Sequence, residues 1–154
     1  MEMNEQKKTI KYSIKKISIL DFGIKDAINI KSTNQNGLFN FNIEFKISSN
    51  IENKIFAVLY NHRVQLKNEP KTDIGWLKIQ IDFYIKDIKN FANDSEKQVV
   101  IPNSFLGNLF DHVISTARGV WATVMKGTKL ENAIVPLINT QELVQKKKLD
   151  LEKT

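Results

Sequence analysis

102-PNSFLGNLFDHVISTARGVWATVMKG-127 is the one long helical pattern in a chain that otherwise reads as strands. Pro102 suits a first helical turn, where its missing N–H costs nothing, and Gly127 suits the left-handed residue just past a helix end. Between them Leu106, Phe110, Val113, Ala117, Val120 and Val124 recur at alternating spacings of four and three, one apolar seam. Phe105, Leu109, Ile114, Trp121 and Met125 widen that seam beyond what one sheet covers, and mainly Asn108, Asp111, Ser115, Arg118, Ala122 and Lys126 are left for water. Such a helix calls for two partners. The expectation is that one face lies on its own sheet and the other meets the same helix of another subunit, with Leu106, Phe110, Val113, Ala117, Val120, Trp121 and Val124 at that interface.

Upstream, the pattern is of strands. Tyr12, Ile14, Ile17, Ile19 and Phe22 alternate, with a slip of one at Lys15-Lys16 that a β-bulge explains. After a polar loop at Lys31–Gly37, Phe39, Phe41, Ile43, Phe45 and Ile47 alternate with Asn40, Asn42, Glu44, Lys46 and Ser48, the mark of a half-buried antiparallel strand. A third strand lies in Lys54–Glu69, with Phe56, Val58, Tyr60, Val64 and Leu66 on one face. Ile55, Ala57 and Leu59 are apolar too, so its first half is expected to be covered on both sides. Pro70–Asp73 reads as the next turn. In the fourth strand Leu77, Ile79, Ile81, Phe83 and Ile85 face inward and Lys78, Gln80, Asp82 and Lys86 outward, while Trp76 and Tyr84 interrupt the outward row.

Downstream of Gly127, Leu130–Asn139 contains Pro136 and reads as an extended arm. Thr140-Gln141-Glu142-Leu143 then caps a short final helix that ends in the lysines 146–148. Sequential strands on short links pair antiparallel, and the long helix covers their apolar face. The fold class is therefore α+β, a four-stranded antiparallel sheet with a long C-terminal helix on one face and a short final helix. Residues 1–9 read as a disordered N-terminus, 10–145 as a single domain and 146–154 as a charged flexible tail.

The 154 residues carry 23 Lys and Arg against 17 Asp and Glu, a net charge of +6, and no cysteine. Absent cysteine removes disulfides and thiolate chemistry and fits a reducing compartment, and the polar start MEMNEQKKTI has no signal-peptide core, so the protein reads as cytoplasmic. The positive excess is nearly all lysine, since only Arg63 and Arg118 are arginines; paired recognition of phosphates or guanines leans on arginine, so the excess reads as solvated surface.

The chemistry-bearing residues do not assemble into a catalytic pattern. His62 and His112 have no second ligand at metal-binding spacing and read as polar surface or satisfied edge positions, and the six glycines form no phosphate loop. No enzyme activity, metal or cofactor is expected. What the chain has in excess is apolar and aromatic surface, the mark of an interaction protein.

At two places the sequence resembles the SecB export chaperones. Tyr12-Ser13-Ile14-Lys15-Lys16-Ile17, with Asp21 and Ile24 beyond, is similar to the SecB opening strand. Ala117-Arg118, the turn at Gly127-Thr128, the arm with Pro136, and Glu142-Leu143 resemble the C-terminal half. The resemblance covers roughly residues 10–145 in element order. It implies dimers paired through their sheets, with Tyr12, Ile14 and Ile17 at the junction, and tetramers with long helices sandwiched between eight-stranded sheets. It also implies ATP-independent holding of unfolded polypeptide in aromatic-lined grooves, for delivery to the SecA motor or, in a relative subset, for protecting antitoxins. Leu38, Trp76, Tyr84, Ile134 and Leu137 are the expected client contacts, and Asp21, Lys25 and Leu77 the partner contacts. One departure is that Lys25 stands where a family glutamate would be, and Ile74–Ile81 holds no acid, so contact with SecA is weakened. The alternatives are a basic nucleic-acid module stacking bases on sheet aromatics, for which Tyr84 is placed but Phe39 and Phe41 belong to the inward face of the alternation, and a non-chaperone oligomeric adaptor.

Overall fold

The computed structural model describes residues 9–25, 38–93 and 98–152, with side chains as far as Lys146. Residues 1–8 of the expected N-terminal segment 1–9, all of the polar loop Lys31–Gly37 and residues 94–97 lie outside the described residues. Four strands, β1 (Tyr12–Ile24), β2 (Phe39–Asn50), β3 (Ile55–Leu66) and β4 (Glu69–Ile85), form one sheet in the order β1-β4-β3-β2, antiparallel throughout. A 3₁₀ turn at Ile88–Phe91 and a ribbon of β5 (Ala92–Asn93) with β6 (Gln98–Val99) lead into α1 (Asn103–Val124), and α2 (Thr140–Glu152) closes the chain. The fold class is the α+β arrangement that the periodicities predict.

The bulge expected at Lys15-Lys16 is present: Ile14 pairs with Phe83 and Lys16 with Asp82, so one residue is extra. A second sits at Leu20, between Ile19 and Asp21. The β3–β4 turn differs from expectation. Leu66 pairs with Glu69, so the hairpin turns at Lys67-Asn68, while Pro70–Asp73 lies within β4 where the register slips. Pro70 is tolerated there because the ladder is already broken.

β4 is the centre of the core. Leu77, Ile79, Ile81, Phe83 and Ile85 are fully buried under α1, beside Phe56, Val58, Tyr60 and Val64 of β3. Phe110 stacks on Phe45 of β2 with ring centroids 4.6 Å apart. Pro102 is the residue before the helix, its carbonyl accepting from the Leu106 amide at 2.9 Å, and Gly127 takes φ 77°, a left-handed turn where a side chain would be strained.

Within the chain itself, the second cover of α1 is the arm that follows it. Trp121 is 2% exposed within this one chain, and Val113, Phe110 and Ala117 are fully buried. The chain's own arm supplies the cover: Leu130, Ala133 and Val135 are buried, and the Trp121 indole N–H donates to the Ala133 carbonyl at 2.7 Å. α2 completes it. Gly107 has no side chain where the Gln141 amide lies, which lets α2 approach α1 closely, and the Thr140 hydroxyl donates to Asp111 Oδ1 at 2.8 Å. The cap of α2 is Asn139, whose Oδ1 accepts from the amides of Gln141 and Glu142, rather than Thr140. Leu106, Phe110, Val113, Ala117 and Trp121 are therefore core residues of one subunit, and only Val120 and Val124 of the expected helix interface stay half-buried. α2 continues to Glu152, through most of the segment read as a tail.

The two faces of the sheet differ. Both helices lie on the side of the buried β4 row. On the other side Ala57 is buried and Ile55 and Leu59 are half-buried, with Tyr84 opposite Ile55 and Gln80 opposite Leu59; neighbouring side chains on the same face, not a second layer, shelter them.

Candidate polypeptide-binding surfaces

Among the described residues the core leaves three apolar surfaces open. One is the helix-side face of β1, where Ile14, Ile17, Ile19 and Phe22 are 45, 48, 49 and 50% exposed although each lies opposite a buried β4 residue. The cause is placement: α1 lies over β3 and β4 and meets β1 near its start. There Tyr12 packs edge-on against Phe105 at 5.0 Å and its hydroxyl lies 2.8 Å from His112 Nε2. Leu20, at the second bulge, is exposed as well.

The second surface is the groove between the outer side of α1 and the arm. It has a volume of about 500 Å³, with Ser115, Arg118 and Ala122 on the helix wall and Glu131, Ile134 and Val135 on the arm wall. Ile134 at its lip is 71% exposed, and Leu137 further along the arm is 84% exposed. From 133 to 139 the arm has no regular secondary structure; Ala133 and Val135 turn in, while Ile134, Pro136 and Leu137 are exposed.

The third is the outer face of the sheet. Trp76 lies over Gly23, where a Cβ would collide with the indole, and across from Arg63; Tyr84 lies between Ser13 and Ile55. Both aromatic residues are half-buried. Leu38 is half-buried at the start of β2, its carbonyl accepting from the Lys67 amide at 2.9 Å. The five expected client residues do not converge on one groove: Ile134 and Leu137 lie on the helix side, Trp76 and Tyr84 across the sheet from them.

Of the expected partner residues, Asp21 is exposed opposite Lys78, and Lys25 is exposed beyond the end of β1 with its amide donating to the Ile74 carbonyl at 2.9 Å. Leu77 is fully buried on the inward row of β4 and offers nothing to a partner. Phe39 and Phe41 turn toward the core, as their alternation predicts, which leaves Tyr84 alone for base stacking.

His62 is also not where it was expected. It is fully buried, its Nδ1 2.8 Å from the Tyr60 hydroxyl, its ring 4.5 Å from Trp121, and its Nε2 without a partner among the described residues. Burial lowers its pKa to about 4, so it is neutral at pH 7, and burial pushes the Tyr60 hydroxyl above the ordinary tyrosine range. Its alternation with Tyr60 and Val64 on the inward face of β3 was the signal that places it inside. Among the described residues no group of three or more His, Cys, Asp or Glu could hold a metal, and no helix is long and apolar enough to cross a membrane.

No protein-family model matches the chain, and no curated protein matches it. Among solved structures it is similar to a SecB-like chaperone of Mycobacterium tuberculosis in complex with a ChAD peptide from the HigA1 antitoxin. The identity is 10% over 82% of this chain and 83% of that one, with a TM-score of 0.43. It is also similar to a protein of unknown function from Streptococcus agalactiae, at 13% identity over 84% of this chain and 98% of that one, with a TM-score of 0.31. Likenesses this distant describe element order and carry no functional argument.

Proposed function

We propose that the protein is an ATP-independent holdase that keeps non-native polypeptide extended, in the manner of the SecB-like chaperones its opening strand and C-terminal half resemble. The observation that carries the reading is the arm: Ile134 and Leu137 are 71% and 84% exposed on a segment without regular secondary structure, Ile134 at the lip of an open groove, and together with that groove they form an apolar strip. Burying apolar surface is worth about 25 cal/mol per Å², so a few client side chains seated along the arm give useful affinity without sequence specificity. Trp76 and Tyr84 form a separate strip on the far face of the sheet, suited to a client long enough to pass around an edge. The net charge of +6 favours acidic clients. The finer roles follow the resemblance: clients bound for export or an antitoxin segment, a homo-oligomer up to a tetramer in the cytoplasm, and a weakened contact with SecA because Lys25 reverses the expected charge.

The test is suppression of aggregation of a chemically unfolded client without nucleotide. The double variant Ile134→Ser/Leu137→Ser should keep the fold by circular dichroism and lose several-fold in holding capacity, and Trp76→Ala should lose less. Wild-type capacity in the double variant removes the arm from the client site. Tight nucleic-acid binding that weakens steeply with salt would favour the alternative module.

A further inference from the structure

Two hydrogen-bond donors on the outer side of α1 have no partner among the described residues. Ser115 and Arg118 stand about one helical turn apart on the groove wall that faces the arm. The hydroxyls of Thr116 and Thr123, on the same helix, are spent on its own backbone, donating to the carbonyls of His112 and Gly119 at 2.8 and 2.9 Å. Ser115 makes no such bond, and Arg118 enters neither a hydrogen bond nor an ion pair among the described residues. The chain's other arginine is paired: Arg63, on the far face of the sheet, reaches Asp73 Oδ2 at 3.4 Å.

The surroundings of Arg118 favour an anion. Its side chain is half-buried beside the buried Trp121 and Ala133, which line the bottom of the groove, and a charge partly out of water gains more from a carboxylate than a lysine in open solvent does. The Trp121 indole N–H is already given to the Ala133 carbonyl, so the guanidinium and the Ser115 hydroxyl are the donors left on that side. A Cβ at Gly119 would meet nothing within 4 Å, so the wall next to Arg118 is bare and has room for a side chain. Across the groove Glu131 is exposed on the arm, and no ion pair joins it to Arg118.

We propose that this groove selects a client segment in which an acidic side chain stands next to an apolar one. The apolar side chain lies over Trp121 and beside Gly119, and the carboxylate accepts from the Arg118 guanidinium and the Ser115 hydroxyl. This selectivity rests on the holdase reading and adds to it a choice among clients. The planar fork of arginine matches two carboxylate oxygens, which a diffuse excess of lysine does not. Glu131 repels a carboxylate from the arm wall and holds the acid to the helix side. Ile134 and Leu137 carry the apolar strip on past Arg118, so the bound chain runs through the groove and the carboxylate is that of a side chain rather than of a chain end.

The test uses short dye-labelled peptides with acetylated and amidated ends that differ only in whether Asp, Asn or Lys follows a central Leu-Phe pair. By fluorescence anisotropy the wild-type protein should bind the Asp peptide about fivefold tighter than the Asn peptide, and the Lys peptide most weakly. Arg118→Gln should abolish that preference, Arg118→Glu should pass it to the Lys peptide, and Ser115→Ala should lower it by about twofold, each with the wild-type circular dichroism. Gly119→Leu fills the bare wall with a better helix former and should weaken all the peptides. Equal binding of the Asp and Asn peptides, binding of none, a preference that survives Arg118→Gln, an undiminished Asp peptide in Gly119→Leu, or an Asn peptide with a free C-terminal carboxylate that matches the Asp peptide would each overturn the proposal. Suppression of client aggregation by a protein that binds the peptides without regard to charge leaves the holdase reading standing and removes only this selectivity; failure in the aggregation assay as well removes both.

Discussion

Trp121 on α1 and Ile17 on β1 belong to rows that look alike in the sequence, apolar residues in excess of what one small sheet hides. The fold treats them oppositely. The indole of Trp121 is enclosed by His62, Phe41 and the arm, while Ile17 lies in water although its register neighbour Ile81 is fully buried. The difference comes from chain that follows: α1 is succeeded by an arm and a second helix that return over it, whereas among the described residues nothing returns over β1. An apolar surplus thus becomes core where the same chain can reach it and stays exposed where it cannot.

The comparison is broken most severely at the enclosed end. Trp121→Ala removes a buried side chain and orphans the Ala133 carbonyl, and should cost about 3–5 kcal/mol in urea unfolding. Loss under 1 kcal/mol would mean the arm is not the helix's true cover. Acid is the next largest test. His62 is held near a pKa of about 4 against 6.5 unfolded, so between those values the unfolded chain takes up a proton that the folded chain refuses. Its contribution is complete above pH 6.5 and falls as pH drops to 4, by about 3 kcal/mol in all. In His62→Leu the stability difference between pH 7 and pH 4.5 should shrink by most of that amount; an unchanged difference would mean that acid acts elsewhere.

At the open end the effects on folding are small. Ile17→Glu should shift the unfolding midpoint by the equivalent of less than about 0.5 kcal/mol when association is suppressed by dilution, because the side chain is already in water. A cost like that of Trp121→Ala would place Ile17 in an unrecognised core. The smallest effect has the opposite sign. A Cβ at Gly119 on α1 meets nothing within 4 Å, so Gly119→Ala should stabilise by about 0.5–1 kcal/mol through helix propensity alone, read in the same urea titration.

Much of this was legible in the sequence. The alternation in β2 and β4, the bulge at Lys15-Lys16 and the left-handed Gly127 follow from local pattern, which is the physics that fixes them. The bulge at Leu20 left no mark because Ile19 and Leu20 are both apolar and a slip between them keeps the row greasy. The hairpin at Lys67-Asn68 was hidden by Pro70, a stronger turn residue that the irregular ladder absorbs. The arm's cover over α1 depends on Leu130, Ala133 and Val135 meeting a helix a turn away in space, and on Gly107 leaving room for Gln141, neither of which is local. Leu77 was misplaced as a partner contact although its own alternation put it inside. The client residues were identified singly, but the sheet that separates Trp76 and Tyr84 from Ile134 and Leu137 is a property of topology.

Hydrogen exchange tests most directly whether the chain encloses α1 and leaves β1 open. In dilute protein alternate β1 amides should exchange at open-strand rates, while α1 amides around Trp121 stay protected at every concentration. If the α1 amides lose their protection on dilution, or consecutive β1 amides are all slow in the single chain, the division between enclosed helix and open strand is wrong.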